Sequence, residues 1–229
     1  MKPCVVAIDG PAGAGKSTVS RLLAQRLGFQ YVDTGAMYRV IGVLAAERGL
    51  APDDTAALGQ LCEETRIVFR DDPGGRTRVY ANGRDLTDAI RTPEAAQWAS
   101  KVSAVPEVRA RLVAQQRELG SAGAVVMEGR DIGTVVFPDA PVKFFLDASP
   151  LERARRRASE LHGNVSEAEI AAVAREIAER DERDRNRAHA PLRPADDAMY
   201  VDTTGKSIDE VVQLLYEVVR MRCGELASI

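Results

Sequence analysis

Residues 8–20 read IDGPAGAGKSTVS, and within them the spacing G-x-x-x-x-G-K-S runs from Gly10 to Ser17. An apolar run at 5–8 stops at Asp9 directly before it, and a helical pattern starts at Lys16 directly after it. Glycine loses more backbone entropy on folding than any other residue, so three glycines at 10, 13 and 15 weaken any regular element placed there. Their absence of side chains is useful where main-chain N–H groups must curl around phosphate oxygens, and the N-terminus of the following helix adds its positive dipole end. In this pattern the lysine, Lys16, reaches the β- and γ-phosphates and the hydroxyl of Ser17 is a ligand for Mg²⁺. Gly10, Pro11, Ala12, Gly13, Ala14, Gly15, Lys16, Ser17 and Thr18 are therefore the candidate ATP-binding residues. A strand, glycine loop and helix in this order belong at the C-terminal edge of a parallel sheet, which restricts the fold more than any other feature of the chain.

The rest of the sequence agrees with that restriction. Short apolar segments at 4–8, 30–32, 124–127, 142–146 and 198–201 read as strands, several of them apolar throughout, as strands buried on both faces are. Longer patterns at 16–27, 36–48, 107–119 and 208–220 read as helices between them. Two segments break the rhythm. Residues 65–91 alternate like short antiparallel strands, with turn signals at Asp72-Pro73-Gly74-Gly75 and Asn82-Gly83, the second of the kind that closes a two-residue hairpin. Residues 151–193 are helical, polar and arginine-rich, with too few apolar positions for core, which predicts a mobile flap.

Composition narrows the function. The 229 residues carry 45% hydrophobic and 28% charged side chains and a net charge of −3, the profile of an ordinary soluble protein. A net acidic chain is not a general nucleic-acid binder. Its arginines nevertheless cluster, in LERARRRASE at 151–160 and again between 180 and 193, which points to discrete anion sites. The glycine loop alone fits motors, switches, transporter ATPases and kinases; the lack of an N-K-x-D-type motif speaks against a GTPase switch. The apolar run at 5–8 is too short for a signal peptide or a membrane span. Cys4, Cys62 and Cys223 are scattered and odd in number, so neither a disulfide framework nor a metal site is expected, and the thiols are read as reduced in a cytoplasmic protein.

Five further stretches, DTGAMYR (33–39), IRTPEAAQWAS (90–100), VPEVRARL (105–112), EGRDIGTVVFPDAPVKFFLDAS (128–149) and RDERDRNRAHAPL (180–192), together resemble the bacterial cytidylate kinases, collinearly over nearly the whole chain. The resemblance implies an α/β fold with a parallel five-stranded sheet of the P-loop NTPase type flanked by helices, a small antiparallel insert on the acceptor side and a short helical lid. It implies a core of residues 1–33, 92–150 and 194–229, an acceptor-binding region at 34–91 with the insert near 65–91, and a lid at 151–193. The reaction implied is ATP plus CMP or dCMP giving ADP plus CDP or dCDP, with Mg²⁺. Small molecules are then the partners, with no nucleic acid and no membrane, and the chain is expected to act as a monomer.

By the same resemblance Arg39, Arg130 and Arg187 hold the acceptor phosphate and, with Lys16, form the catalytic set. Arginine suits this because its planar fork donates two hydrogen bonds to one phosphate. Thr34, Arg109 and Asp131 correspond to positions that read the base; Ser100, Arg180 and Asp184 correspond to positions around the sugar. Two residues depart from the common pattern, Thr34 where serine is frequent and Glu128 where aspartate is common. Glu128 and Asp9 are competing candidates for a carboxylate near the metal's water shell. Arg180, Asp184 and Arg187 stand at i, i+4 and i+7, one face of a helix; the same alternation of acids and arginines also describes a solvated, self-paired helix. Arg153 and Arg157 share a face with each other and not with Arg156. The alternatives are a kinase for UMP or another monophosphate and, in a different class, a nucleic-acid-dependent ATPase that uses the arginine clusters.

Overall fold

The computed structural model describes residues 4–162 and 165–225. They divide into two compact units, one of residues up to 31 together with those from 122 onward, the other of residues 32–121.

The first unit is built on a parallel sheet. Its central strand, β1 (Val5–Asp9), pairs in parallel with β6 (Val125–Gly129) on one side and β7 (Val142–Asp147) on the other. β8 (Met199–Asp202) extends it beyond β7, and β2 (Gln30–Asp33) lies beyond β6, giving the order β2-β6-β1-β7-β8. Because the pairing is parallel, the loops after β1, β6, β7 and β8 all leave from the same edge. Helices α1 (Lys16–Leu27) and α8 (Ile208–Glu225) share one core with the sheet, in which Val19 and Leu23 of α1 and Val211, Leu215 and Val219 of α8 meet Val6, Ile8, Val126, Phe144 and Leu146. Burial of each such side chain contributes about 1.5–3 kcal/mol, which fixes the strand that leads into the glycine loop.

Two expectations need correction in this unit. Cys4, just ahead of β1, and Cys223, near the end of α8, are joined by a disulfide, so these thiols are not reduced as the odd, scattered count suggests. Both belong to the same apolar core, and their separation of 219 residues hides a Cα–Cα distance of 6.4 Å. Cys62 alone is free; burial pushes its thiol up to about 12. The polar segment after β7 is also more than a flap. Helices α6 (Pro150–His162) and α7 (Glu167–Asn186) pack on each other through Ala158, Val173 and Ile177, and they bury charged residues as well, Arg153, Asp181 and Asp184. A capping box of Ser166 and Glu169 starts α7.

The second unit carries α2 (Thr34–Glu47), α3 (Thr55–Glu64), α4 (Pro93–Val102) and α5 (Pro106–Gly120), with a single 3₁₀ turn at Ala89–Arg91. The antiparallel insert is present as β3 (Ile67–Asp71), β4 (Thr77–Ala81) and β5 (Arg84–Asp85). Asn82 and Gly83, with φ of 49° and 85°, close the two-residue hairpin between Ala81 and Arg84, as that pair of residues predicts. The short helices α3 and α4 are not evident in the sequence pattern; each begins on a side-chain cap, Asp54 accepting from the N–H of Ala57 and Thr92 from that of Ala95. α2 lies so close to α4 that a Cβ at Gly42 would stand 2.5 Å from the Cβ of Trp98.

Candidate active site

The glycine loop leaves β1 at the sheet's C-terminal edge. Gly10 has φ of +149°, and a Cβ there would overlap the carbonyl oxygen of Leu146 in the neighbouring strand. Gly13, at φ +75°, leaves only 2.6 Å between such a Cβ and the carbonyl oxygen of Arg153. Gly15, at φ +83°, is the left-handed N-cap of α1, with no side chain capping the helix and no acidic residue in its first turn. The first N–H groups of that helix are thus left for an external anion. Pro11 and Ala14 are buried, Ala12, Gly13 and Thr18 are half-buried, and Ser17 is exposed on the first turn. Lys16 is only 6% exposed, and its Nζ donates to the carbonyl oxygen of Pro11 at 2.6 Å. Burial, reinforced by the charges of Arg130 and Arg180, lowers its pKa to about 7, while Glu128 and Asp9 pull the other way. Such a lysine regains its charge when an anionic phosphate arrives.

Carboxylates and guanidinium groups line the same edge. Both oxygens of Asp9 accept backbone N–H groups, from Ile132 and Gly133, each at 2.8 Å. They pin the start of a π-helical turn at Ile132–Val136, whose N-cap is Asp131. Burial raises the Asp9 carboxyl to about 7 against those two donors, with Asp131 adding to the rise. Asp9 is therefore committed to the turn that presents Arg130 and Asp131. Glu128 is buried at the end of β6 and accepts from the Tyr31 hydroxyl. Asp184 stands between two guanidinium groups: Arg130 Nε lies 3.3 Å from its Oδ2 and Arg187 Nη1 lies 3.8 Å from its Oδ1. Arg187 follows α7 as its C-cap with extended backbone, so the helical face expected to carry Arg180, Asp184 and Arg187 ends one residue short of the last. Its Nε donates to the Ala190 carbonyl at 2.6 Å.

In the second unit Thr34 is buried as the first residue of α2. Asp33 caps that helix, accepting from the Ala36 N–H at 2.9 Å, and its other oxygen pairs with Arg39 Nη2 at 2.6 Å. Arg109 is buried on α5 with its guanidinium carbon 5.9 Å from the centre of the Tyr38 ring. Its Nη1 reaches the Ser103 carbonyl at 3.4 Å, and the Ser103 hydroxyl donates to the Ser100 carbonyl at 3.0 Å. Thr34 and Arg39 thus share the first turns of α2, while Ser100 and Arg109 are linked across the α4–α5 connection.

The first unit carries a glycine loop and a strand-edge arginine cluster, and the second unit carries a buried threonine and a buried arginine. The family model for cytidylate kinase matches residues 6–221. The chain belongs to the cytidylate kinase family. It is 51% identical over 218 residues to a cytidylate kinase of Geobacter sulfurreducens, spanning 95% of this chain and 93% of that one, and 50% identical over 226 residues to one of Solibacter usitatus, spanning 96% and 94%. Among solved structures, a gluconokinase from Sinorhizobium meliloti 1021 covers 99% of this chain and 97% of its own at 15% identity and a TM-score of 0.50, which bears on the fold alone.

For this member of the cytidylate kinase family the structure also draws in residues that the sequence pattern passes over. Asp181 is buried beside the loop, where it pairs with Arg153, one of the arginines already singled out at 153–157, and Tyr31 bonds Glu128. Nothing in their local spacing separates them from a surface ion pair or a core tyrosine. Of the arginines at 153–157, Arg156 donates to Thr203 Oγ1 and to the Thr203 carbonyl, each at 2.8 Å, and Arg157 pairs with Glu160 at 3.1 Å on the exposed face.

Proposed function

We propose that this chain transfers the γ-phosphoryl group of ATP to CMP and dCMP, giving ADP and CDP or dCDP. The observation that carries the reading is the family match along residues 6–221, and the glycine loop and arginines supply chemistry suited to it. The acceptor oxygen is already anionic near neutral pH, so positioning and charge dispersal do the work that a strong base does elsewhere. The loop of Gly10, Pro11, Ala12, Gly13, Ala14, Gly15, Lys16, Ser17 and Thr18 forms the triphosphate cradle, with main-chain N–H groups from Gly13 onward as its donors and the Lys16 ammonium on the β- and γ-oxygens. Arg39, Arg130 and Arg187 grip the acceptor phosphate. Asp131 accepts from the N4 amino group of cytosine, Arg109 donates to N3 and O2, and Thr34 supplies a hydroxyl. Uracil would set a carbonyl oxygen against Asp131 and leave a carboxylate without its donor. Ser100, Arg180 and Asp184 hold the sugar.

Among the described residues no group of three or more His, Cys, Asp or Glu could hold a metal ion. The residues present fit an ion carried in by the nucleotide, as Mg²⁺ is when it keeps most of its waters. The exposed Ser17 hydroxyl would ligate it, and Glu128 would hold one of its waters, since both oxygens of Asp9 are engaged by backbone donors. An ion held there would help disperse the charge that develops on the transferring phosphoryl group. Residues 34–91 serve as the acceptor-binding region and 151–193 as a lid that excludes water. The chain works as a monomer in the cytoplasm on small molecules, without nucleic acid; among the described residues no helix is long and apolar enough to cross a membrane. A coupled assay over the common nucleoside monophosphates tests this. CMP and dCMP are expected to be used fastest, and a clear preference for UMP, AMP or GMP would overturn it.

A further inference from the structure

Asp181 is 1% exposed, on α7 next to Arg180 and three residues before Asp184. Its Oδ1 accepts the N–H of Ala12 in the glycine loop at 3.3 Å, and its Oδ2 pairs with Arg153 Nη1. Arg153 is itself buried, and the same Nη1 donates to the carbonyl oxygen of Ala12 at 3.1 Å while its Nε donates to the Ala148 carbonyl at 3.1 Å. Both main-chain polar groups of Ala12 are thus held by one ion pair. Two more contacts seat the loop on the same helices: the Ala12 side chain packs on the cluster of Ala158, Val173 and Ile177, and Gly13 lies against the backbone of Arg153.

We propose that Asp181 is a positioning residue that, through Ala12 and Arg153, holds the phosphate loop at a fixed distance from the helix carrying Arg180 and Asp184. The inference rests on the kinase reading above. An ion pair this deeply buried is a poor device for stability alone, since well-packed apolar side chains of similar volume do as well or better. It is a good device for register, because it gives the Ala12 peptide groups partners at one place only. Transfer between two bound nucleotides is sensitive to such register: a misplacement of about 1 Å costs on the order of 10²-fold in rate. Asp181 touches no reacting atom in this scheme and acts through the loop.

The test compares Asp181→Asn and the double variant Arg153→Met/Asp181→Leu with the native chain. The double variant removes both buried charges and puts apolar side chains of comparable length in their place, so it is expected to melt within a few degrees of the native protein while Ala12 N–H loses its acceptor. Competent sites are counted by titration with a non-hydrolysable ATP analogue, and kcat per site is measured with ATP and CMP. A fall of about tenfold or more is expected in either variant that folds, with KM for CMP and for ATP within about threefold of native. A folded double variant with kcat per site within threefold of native would overturn the proposal, since a merely structural pair is restored by apolar packing. A native chain inactive on CMP would sink the kinase reading instead, so the two failures are distinguishable.

Discussion

An ammonium group buried within electrostatic reach of Arg130 and Arg180 is in a state that an anion relieves, and Lys16 should report that relief as a bound proton. Burial holds its pKa near 7 without nucleotide, so at pH 8 the side chain is mostly neutral. A triphosphate in the loop would raise the pKa again, so nucleotide binding is expected to be accompanied by proton uptake that is larger at pH 8 than at pH 6, where more of the lysine is already charged. The last ionisation of a phosphate group lies near pH 6, so the nucleotide contributes little at the higher pH. Binding enthalpies measured at pH 8 in two buffers of different ionisation enthalpy read the uptake directly, and Lys16→Met should abolish it. Asp131 supplies the second test at this scale. Asp131→Ala is expected to lower kcat/KM for CMP by about 10²–10³-fold, because the buried base edge loses its acceptor, and to leave ATP affinity nearly unchanged. Parallel titrations with CMP and an ATP analogue check it, and equal losses of both would contradict the assignment.

The glycine loop and the elements around it show what kinds of structure a linear pattern can carry. Gly10→Ala is expected to cost at least about 3 kcal/mol, since the new Cβ meets main chain in β7 and not a movable side chain; chemical denaturation measures it, and a loss below about 1 kcal/mol would mean that the loop can shift away from Leu146. That requirement is local, so the spacing of glycines announces it. The buried strands and the Asn82-Gly83 hairpin are legible for the same reason, being set by residues within a few positions of one another. Helices α3 and α4 are not, because ten residues give too little period to stand out and their starts depend on single caps, Asp54 and Thr92. The loop-facing pair Arg153 and Asp181 is less legible still. Its members lie on different helices, and only the packing of Ala158 on Val173 and Ile177 turns an acid–arginine alternation that reads as solvated surface into a buried contact. Asp9 is a milder case: the acid before the glycines is conspicuous, but its task of accepting the N–H groups of Ile132 and Gly133 depends on β1 and β6 being neighbours.

Contacts between distant ends of a chain leave no trace in local pattern, and the bridge from Cys4 to Cys223 is the extreme instance. It ties the entrance of β1 to the end of α8 across 219 residues. Cross-linking acts mainly on the unfolded chain, and the loop-closure argument for a ring of that size gives about 5 kcal/mol as an upper figure, with about 2–4 kcal/mol typical. Cys223→Ser, which leaves a hydroxyl near the apolar core that α8 shares with β1, should therefore lower stability by about 2–5 kcal/mol under non-reducing conditions. The native protein treated with dithiothreitol should fall most of the way to the same value. The readout matters. The one tryptophan, Trp98, belongs to residues 32–121, whereas both cysteines belong to the other unit, so fluorescence reports the wrong part of the molecule. Hydrogen exchange of the β1 and α8 amides reports the right one: they should exchange faster in Cys223→Ser and in reduced native protein, with the amides of β3 and β4 much less affected. Unchanged exchange in β1 and α8 would show that the apolar core of Val6, Ile8, Leu215 and Val219 holds these elements without help from the bridge.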